Sequence, residues 1–143
     1  YKTTITCEKA KFSISGQSGE EFSYLPYVER DNHIVVSQFT LKEVIRQTIF
    51  SIAANENNKM MTGELFEVKG DMLRVVSLDG HRISIRKIEL KEEYSDIKVV
   101  VPGKTLIEIS KILSGETEDE VSIFFTKNHI VFDLFQCSRL ILV

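Results

Sequence analysis

Catalysis in a chain of this size needs side chains that converge. The first residues to weigh are therefore the three histidines, His33, His81 and His129, the two cysteines, Cys7 and Cys137, and the acidic runs. The histidines fall in different strand or turn contexts, with no carboxylate or nucleophile at a recognisable interval, so general acid-base chemistry has no partner set. The cysteines lack metal-type spacing and are expected as reduced, partly buried strand residues. Val101-Pro102-Gly103-Lys104-Thr105 contains Gly-Lys-Thr but not the earlier glycine of a phosphate-binding loop, which leaves Lys104 as a solvated first-turn lysine. Glu92-Glu93 and Glu116-Thr117-Glu118-Asp119-Glu120 lack the ligand spacing of a calcium loop and read as solvated loops. No catalytic residue, metal ligand or cofactor is assigned.

Ser77-Leu78-Asp79-Gly80-His81-Arg82-Ile83 is different in kind. Asp-Gly between two alternating apolar runs is a strong hairpin signal, and a structural turn is its default meaning. Here an aromatic and a cation, His81 and Arg82, follow it directly, beside Leu78 and Ile83. That makes a small apolar surface with a polar rim, the kind that suits a short peptide segment.

The elements that must position this turn follow from periodicity. Tyr1 to Gly16 alternates as a hairpin, with Ile5, Cys7, Phe12 and Ile14 in one register and a polar Glu8-Lys9-Ala10-Lys11 connection. After a strand at His33–Val36, a helix is expected to open at Thr40 with Glu43 answering in a capping box, and to fade near Ala54. Its apolar stripe is Leu41, Val44, Ile45, Thr48, Ile49 and Ile52, leaving Lys42, Glu43, Arg46 and Gln47 wet. Four or five strands follow, at Thr62–Lys69, Met72–Leu78, His81–Leu90 and Ile97–Val101, three of them pairing as a meander across Gly70-Asp71 and Asp79-Gly80 turns. A second helix after Pro102 turns Leu106, Ile109, Ser110 and Leu113 inward and Lys104 and Lys111 outward, with Gly115 as its stop. Strands at Glu120–Thr126, His129–Phe135 and Cys137–Val143 close the chain. The order is α+β rather than βαβ alternation.

With 143 residues, 43% hydrophobic and 27% charged, the chain can bury a core, and it has none of the composition of disorder. It lacks an apolar run of the roughly 20 residues that cross a bilayer, so a soluble, cytoplasmic protein is expected. A net charge of −3 is a weak vote against a polyanion partner. Tyr1 in place of Met, and an apolar Ile141-Leu142-Val143 ending, suggest a piece cut from a longer chain.

Leu73-Arg74-Val75-Val76-Ser77-Leu78-Asp79-Gly80-His81-Arg82-Ile83 closely resembles the hallmark turn in the middle domain of the bacterial DNA polymerase III beta subunits, the sliding clamps. Met61-Thr62-Gly63-Glu64-Leu65-Phe66-Glu67, Val99-Val100-Val101-Pro102-Gly103-Lys104 and Cys137-Ser138-Arg139-Leu140 resemble other blocks of that domain. Lys11-Phe12-Ser13-Ile14-Ser15-Gly16, Glu21-Phe22 and Leu25-Pro26 are similar to the end of the first clamp domain and its linker.

The resemblance implies a DNA clamp fold, two helices packed on antiparallel sheets. Residues 1–22 would be the terminal hairpin of a first clamp domain, 23–32 a linker and 33–143 one full middle domain. It also implies a non-catalytic processivity factor of chromosomal replication: a head-to-tail homodimeric ring around duplex DNA, part of the polymerase III complex. Such a ring tethers the polymerase III alpha subunit, the clamp loader and repair polymerases through short peptides. A ring holds DNA by enclosure, so only its inner helices need be basic. The DNA-facing residues implied are Lys42, Arg46, Lys104, Lys111 and Arg82, and the peptide pocket carries over as Met61, Leu78, Gly80, His81, Arg82 and Ile83. Leu78 stands where the family commonly has threonine, Met61 where leucine is usual, and Asn58 where arginine is frequent. The rival readings are a clamp-like peptide-binding module without a DNA role and a replication-associated nuclease.

Overall fold

The computed structural model describes residues 1–22, 30–54, 57–116 and 118–134, and the backbone of 139–142. Alternating residues at the start give a hairpin, β1 (Lys2–Cys7) and β2 (Ala10–Ser15), in the register Ile5 with Phe12 and Cys7 with Ala10. Its connection is tighter than expected, a two-residue turn at Glu8-Lys9 with Glu8 at φ 50°. Both strands are exposed along their whole length, so Cys7 is exposed and not partly buried. Cys137 lies outside the described residues.

The strand β3 (His33–Ser37) leads directly into α1 (Gln38–Thr48). The helix opens two residues before Thr40, and the expected capping box is not formed. Glu43 pairs with Arg46 on the helix surface instead. Gln38 fixes the real start: its backbone N–H donates to Asp119 O, its side-chain amide donates to Glu120 O, and its Oε1 accepts from Ser114 N. Those partners lie far along the chain, which is why local capping chemistry misplaced the first turn. The expected apolar stripe does face inward, with Leu41, Val44, Ile45 and Thr48 buried. After Thr48 the chain tightens into a 3-10 turn, Ile49–Ser51, and a second one forms at Lys59–Thr62.

The strands β4 (Gly63–Leu78) and β5 (Ile83–Pro102) pair antiparallel from Leu78 with Ile83 to Gly63 with Pro102, with register shifts on both sides of Gly70. β4 is not straight. Glu67 and Arg74 are seven residues apart, roughly 23 Å in an extended strand at about 3.3 Å per residue, and would point to opposite faces. Their side chains nevertheless form an ion pair. The chain therefore doubles back at Gly70, whose φ of 58° suits a tight reversal. The Gly70-Asp71 turn is thus present, but inside one long hydrogen-bonded strand. The separate strands expected here are limbs of two bent ones, residues 63–68 pairing with 97–102 and 72–78 with 83–89. His81 belongs to the turn between them and not to a strand.

Next comes α2 (Gly103–Ile112), burying Leu106 and Ile109. It ends on Leu113, which is extended and buried, so Gly115 lies beyond the stop and does not make it. The strands β6 (Glu120–Phe125), β7 (Ile130–Leu134) and β8 (Arg139–Leu142) complete a sheet of order β3-β6-β7-β8, antiparallel throughout. One core joins this sheet, the β4–β5 strands and both helices: Ile34, Leu41, Ile45, Phe66, Leu73, Leu106, Ile109, Ile123 and Phe132 are all fully buried in it. The architecture is α+β, two helices on antiparallel sheets.

Candidate functional site

The turn from Asp79 to Arg82 is built by its own carboxylate. Asp79 Oδ1 accepts from the backbone N–H of His81 (3.0 Å) and of Arg82 (3.2 Å), while its Oδ2 accepts from Arg82 Nε (2.9 Å). The His81 amide first, and then the Arg82 side chain and amide, hold the Asp79 carboxyl below the usual carboxylate range. Gly80 has a φ of 89°, a backbone conformation that side chains rarely adopt, which explains Asp-Gly at this position. The reversal leaves Gly80, His81, Arg82 and Ile83 exposed, Ile83 at 59%, with Leu78 half-buried beneath them.

A second segment comes up to this turn that sequence reasoning did not connect with it, the 3-10 turn at the end of α1. Phe50, 57% exposed, places its ring 5.9 Å from the Arg82 guanidinium. Ser51 Oγ and Ser84 Oγ share a hydrogen bond of 2.7 Å, and Ser77 Oγ donates to the Thr48 carbonyl oxygen. Ser77 and Ser84 face each other across the pair of strands. The stem of the turn is therefore pinned on both sides to the end of the helix. Further along, Ala53 N donates to Met61 O, so the half-buried Met61 is anchored to the far side of the same segment. Asn58 accepts from Met60 N and caps the short 3-10 turn that carries Met61. The residues expected to dock a peptide thus form two groups, Leu78 to Ile83 and Met61, linked through Ile49 to Ala53.

The buried neighbour of this segment is Glu64. It has no exposure, and among the described residues neither carboxyl oxygen has a hydrogen-bond partner. Burial pushes its pKa up to about 7. The adjacent Thr48 hydroxyl works the other way, but it donates its own proton to the Val44 carbonyl at 2.8 Å. Sequence patterning could not reveal this residue, because a glutamate in a strand reads as surface.

The cations implied to face DNA are less uniform than the sequence suggests. Lys42 is half-buried, and its Nζ donates to Leu113 O (3.1 Å), tying α1 to the end of α2. Arg46 is paired with Glu43 and Lys111 with Glu108, both exposed i,i+3 pairs of the kind worth little in water. Arg82 is held by Asp79. Lys104 is exposed and makes no ion pair among the described residues. It also lines a hollow of about 660 Å³ with Ala53, Lys59, Met60, Pro102 and Ile107, which contains none of the expected docking residues. Among the described residues no group of three His, Cys, Asp or Glu side chains could hold a metal ion.

Residues 35–141 match the family model described as the DNA polymerase III beta subunit, central domain. The chain belongs to the sliding-clamp family. A beta sliding clamp from Staphylococcus epidermidis is 35% identical over 132 residues, 92% of this chain and 35% of the relative. Among solved structures, a DNA polymerase III beta subunit from Eubacterium rectale is 67% identical with a TM-score of 0.87, covering 98% of this chain and 39% of that one. The sliding clamp of Bacillus subtilis is 34% identical, again with a TM-score of 0.87, over 99% of this chain and 38% of that one. The clamp chain therefore spans rather more than a third of the length of these relatives. No helix among its described residues is long and apolar enough to cross a membrane.

Proposed function

We propose that this clamp chain is the middle domain, with part of the preceding one, of a processivity factor of bacterial chromosomal replication. In this reading the parent protein is non-catalytic and works in the cytoplasm as a homodimeric ring around duplex DNA. It tethers the polymerase III alpha subunit, the clamp loader and repair polymerases through short peptides. Residues 1–22 are the closing hairpin of the first clamp domain, 23–32 the linker and 33–143 the middle domain. The exposed apolar face of the hairpin, with Ile5 and Phe12, supports that division, because a two-stranded hairpin needs further packing to be stable.

The observation that carries the docking role is the Asp79-organised turn, which holds Ile83, His81 and Arg82 out of the fold on a rigid stem. Met61, Leu78, Gly80, His81, Arg82 and Ile83 form this domain's side of the peptide pocket, and a following domain supplies the other. One solved relative, a sliding clamp from Pseudomonas aeruginosa, has griselimycin bound. DNA is held by enclosure, with Lys42, Arg46, Lys104, Lys111 and Arg82 giving the inner surface its positive potential.

The test is a titration of the full-length parent with a labelled clamp-binding peptide, compared with His81→Ala and Ile83→Ala. Each substitution removes an exposed anchor and should weaken binding by about tenfold, a change of roughly 1.4 kcal/mol. Unchanged affinity in both variants overturns the assignment of the pocket. Tight binding by the 143-residue chain alone overturns the need for a second domain.

A further inference from the structure

We propose that Glu64 is a proton-dependent positioning residue for the Leu78–Ile83 turn: as a neutral acid it lets the end of α1 seat on the sheet and hold the turn, and on losing its proton it weakens that hold. This role rests on the reading of the turn as a docking surface.

The geometry places Glu64 at the base of the device. It sits fully buried beside Thr48, the last residue of α1, with no partner for either oxygen. The Thr48 carbonyl accepts from Ser77, Ser51 is bonded to Ser84, and Phe50 carries Arg82. All three links to the turn leave from the four residues Thr48 to Ser51. A carboxylate without a counter-ion or donor is costly to bury, so an ionised Glu64 relaxes by moving its neighbours or admitting water. Its neighbour Thr48 is where the α-helix gives way to a 3-10 turn, so a shift there reaches Phe50 and Ser51 directly.

Among the described residues no charged side chain acts on Glu64 to compensate. On α1, Glu43 and Arg46 pair with each other at the surface and Lys42 is engaged with Leu113 O. On α2, Lys104 is exposed and Glu108 pairs with Lys111. Opposite Glu64 on β5 stands Val101, flanked by Val100 and Pro102. The polar group that does act on Glu64 is a hydroxyl, that of Thr48 in α1.

The direction of the pH effect follows from the raised value. An unfolded glutamate ionises near 4.5, whereas folded Glu64 keeps its proton to about 7. Its stabilising contribution is fully present below 4.5 and is lost as pH rises towards 7. Across that window the folding equilibrium should fall by about tenfold per pH unit.

The experiment is an NMR titration of the 143-residue chain from pH 4.5 to 8.5, following the Glu64 carboxyl carbon and the amides of Ser77, Gly80 and Ser84. His81→Gln is used as background, so that no imidazole in the turn contributes. The expected result is a carboxyl midpoint near 7 with the three amides shifting in step, and amides that stay flat when Glu64→Gln is added. A carboxyl that titrates in the ordinary range near ~4.3 overturns the proposal. So do turn amides that ignore a midpoint near 7, or that still shift in the Glu64→Gln chain. If Glu64→Gln does not fold, the titration with Glu64 intact still decides the matter. No peptide is used, so failure of the docking reading shows separately, in the peptide titration.

Discussion

At the scale of single residues, Asp79 and Glu64 are two carboxylates with opposite surroundings, and each sets a different pH response. Asp79 is held low by the His81 amide first and the Arg82 side chain after it. Its contribution is therefore intact above the ordinary aspartate range and is lost as pH falls through its lowered folded value. Thermal melts between pH 2.5 and 5 should show a slope that Asp79→Ala flattens, and the same substitution should weaken peptide binding by the full-length parent at neutral pH. Truncating Phe50 to Ala should remove the ring beneath Arg82 while changing stability by no more than about 1 kcal/mol, measured by urea unfolding. Turn chemistry was legible in the sequence because it is local: Asp-Gly states its backbone geometry in two letters. The pinning serines and the buried Glu64 were not, since their neighbours arrive from other parts of the chain.

At the scale of elements, most of both helix stripes was readable from spacing alone: Leu41, Val44, Ile45 and Thr48, and Leu106 and Ile109, are buried as expected, whereas Ser110 is only half-buried and Ile49 and Ile52 lie beyond the end of α1. Helix ends were less readable. Thr40 and Glu43 have the right letters for a capping box, but Gln38, bonded to Ser114, Asp119 and Glu120, sets the start. β4 shows the converse. Its reversal at Gly70 was anticipated, and what the sequence hides is that strand pairing continues through the bend. A sharp test lies at the first residue of α2. A Cβ on Gly103 would come 2.4 Å from Ile52 Cδ1 and 2.8 Å from the Thr62 carbonyl oxygen. Helix propensity favours alanine over glycine by about 1 kcal/mol in a helix interior, so a purely local account predicts that Gly103→Ala stabilises. The close backbone approach predicts the opposite sign, a net loss in chemical denaturation, because the Thr62 carbonyl cannot swing away as a side-chain tip can.

At the scale of the whole molecule, one core holds the two helices and the sheets in register. Phe132, fully buried in β7, is a fair measure of it: Phe132→Ala should cost about 3–5 kcal/mol. Replacing the exposed Lys104 with Glu should leave stability within about 0.5 kcal/mol and yet impair retention on DNA by the full-length parent at low salt, with the gap to the unsubstituted protein narrowing as salt rises. Unimpaired retention would favour a clamp-like module without a DNA role. The α+β class and the family resemblance were both legible in the sequence, but the sheet order was not. His33 to Ser37 carry no sign that their partner is β6.

That pairing governs how the molecule can be made. β3 precedes both helices and the long bent strands, while its hydrogen-bonding partner β6 follows them all. A chain leaving the ribosome therefore carries β3 with open edges until Glu120 to Phe125 emerge. α1 must wait as well, because the acceptors that fix its first turn lie at Asp119 and Glu120. The local hairpins of β4 and β5 can close early, but the sheet that anchors the helix closes only across a loop spanning most of the domain, a slow, entropy-limited step. Nascent chains halted before residue 120 should thus be the ones that chaperones hold and proteases cut.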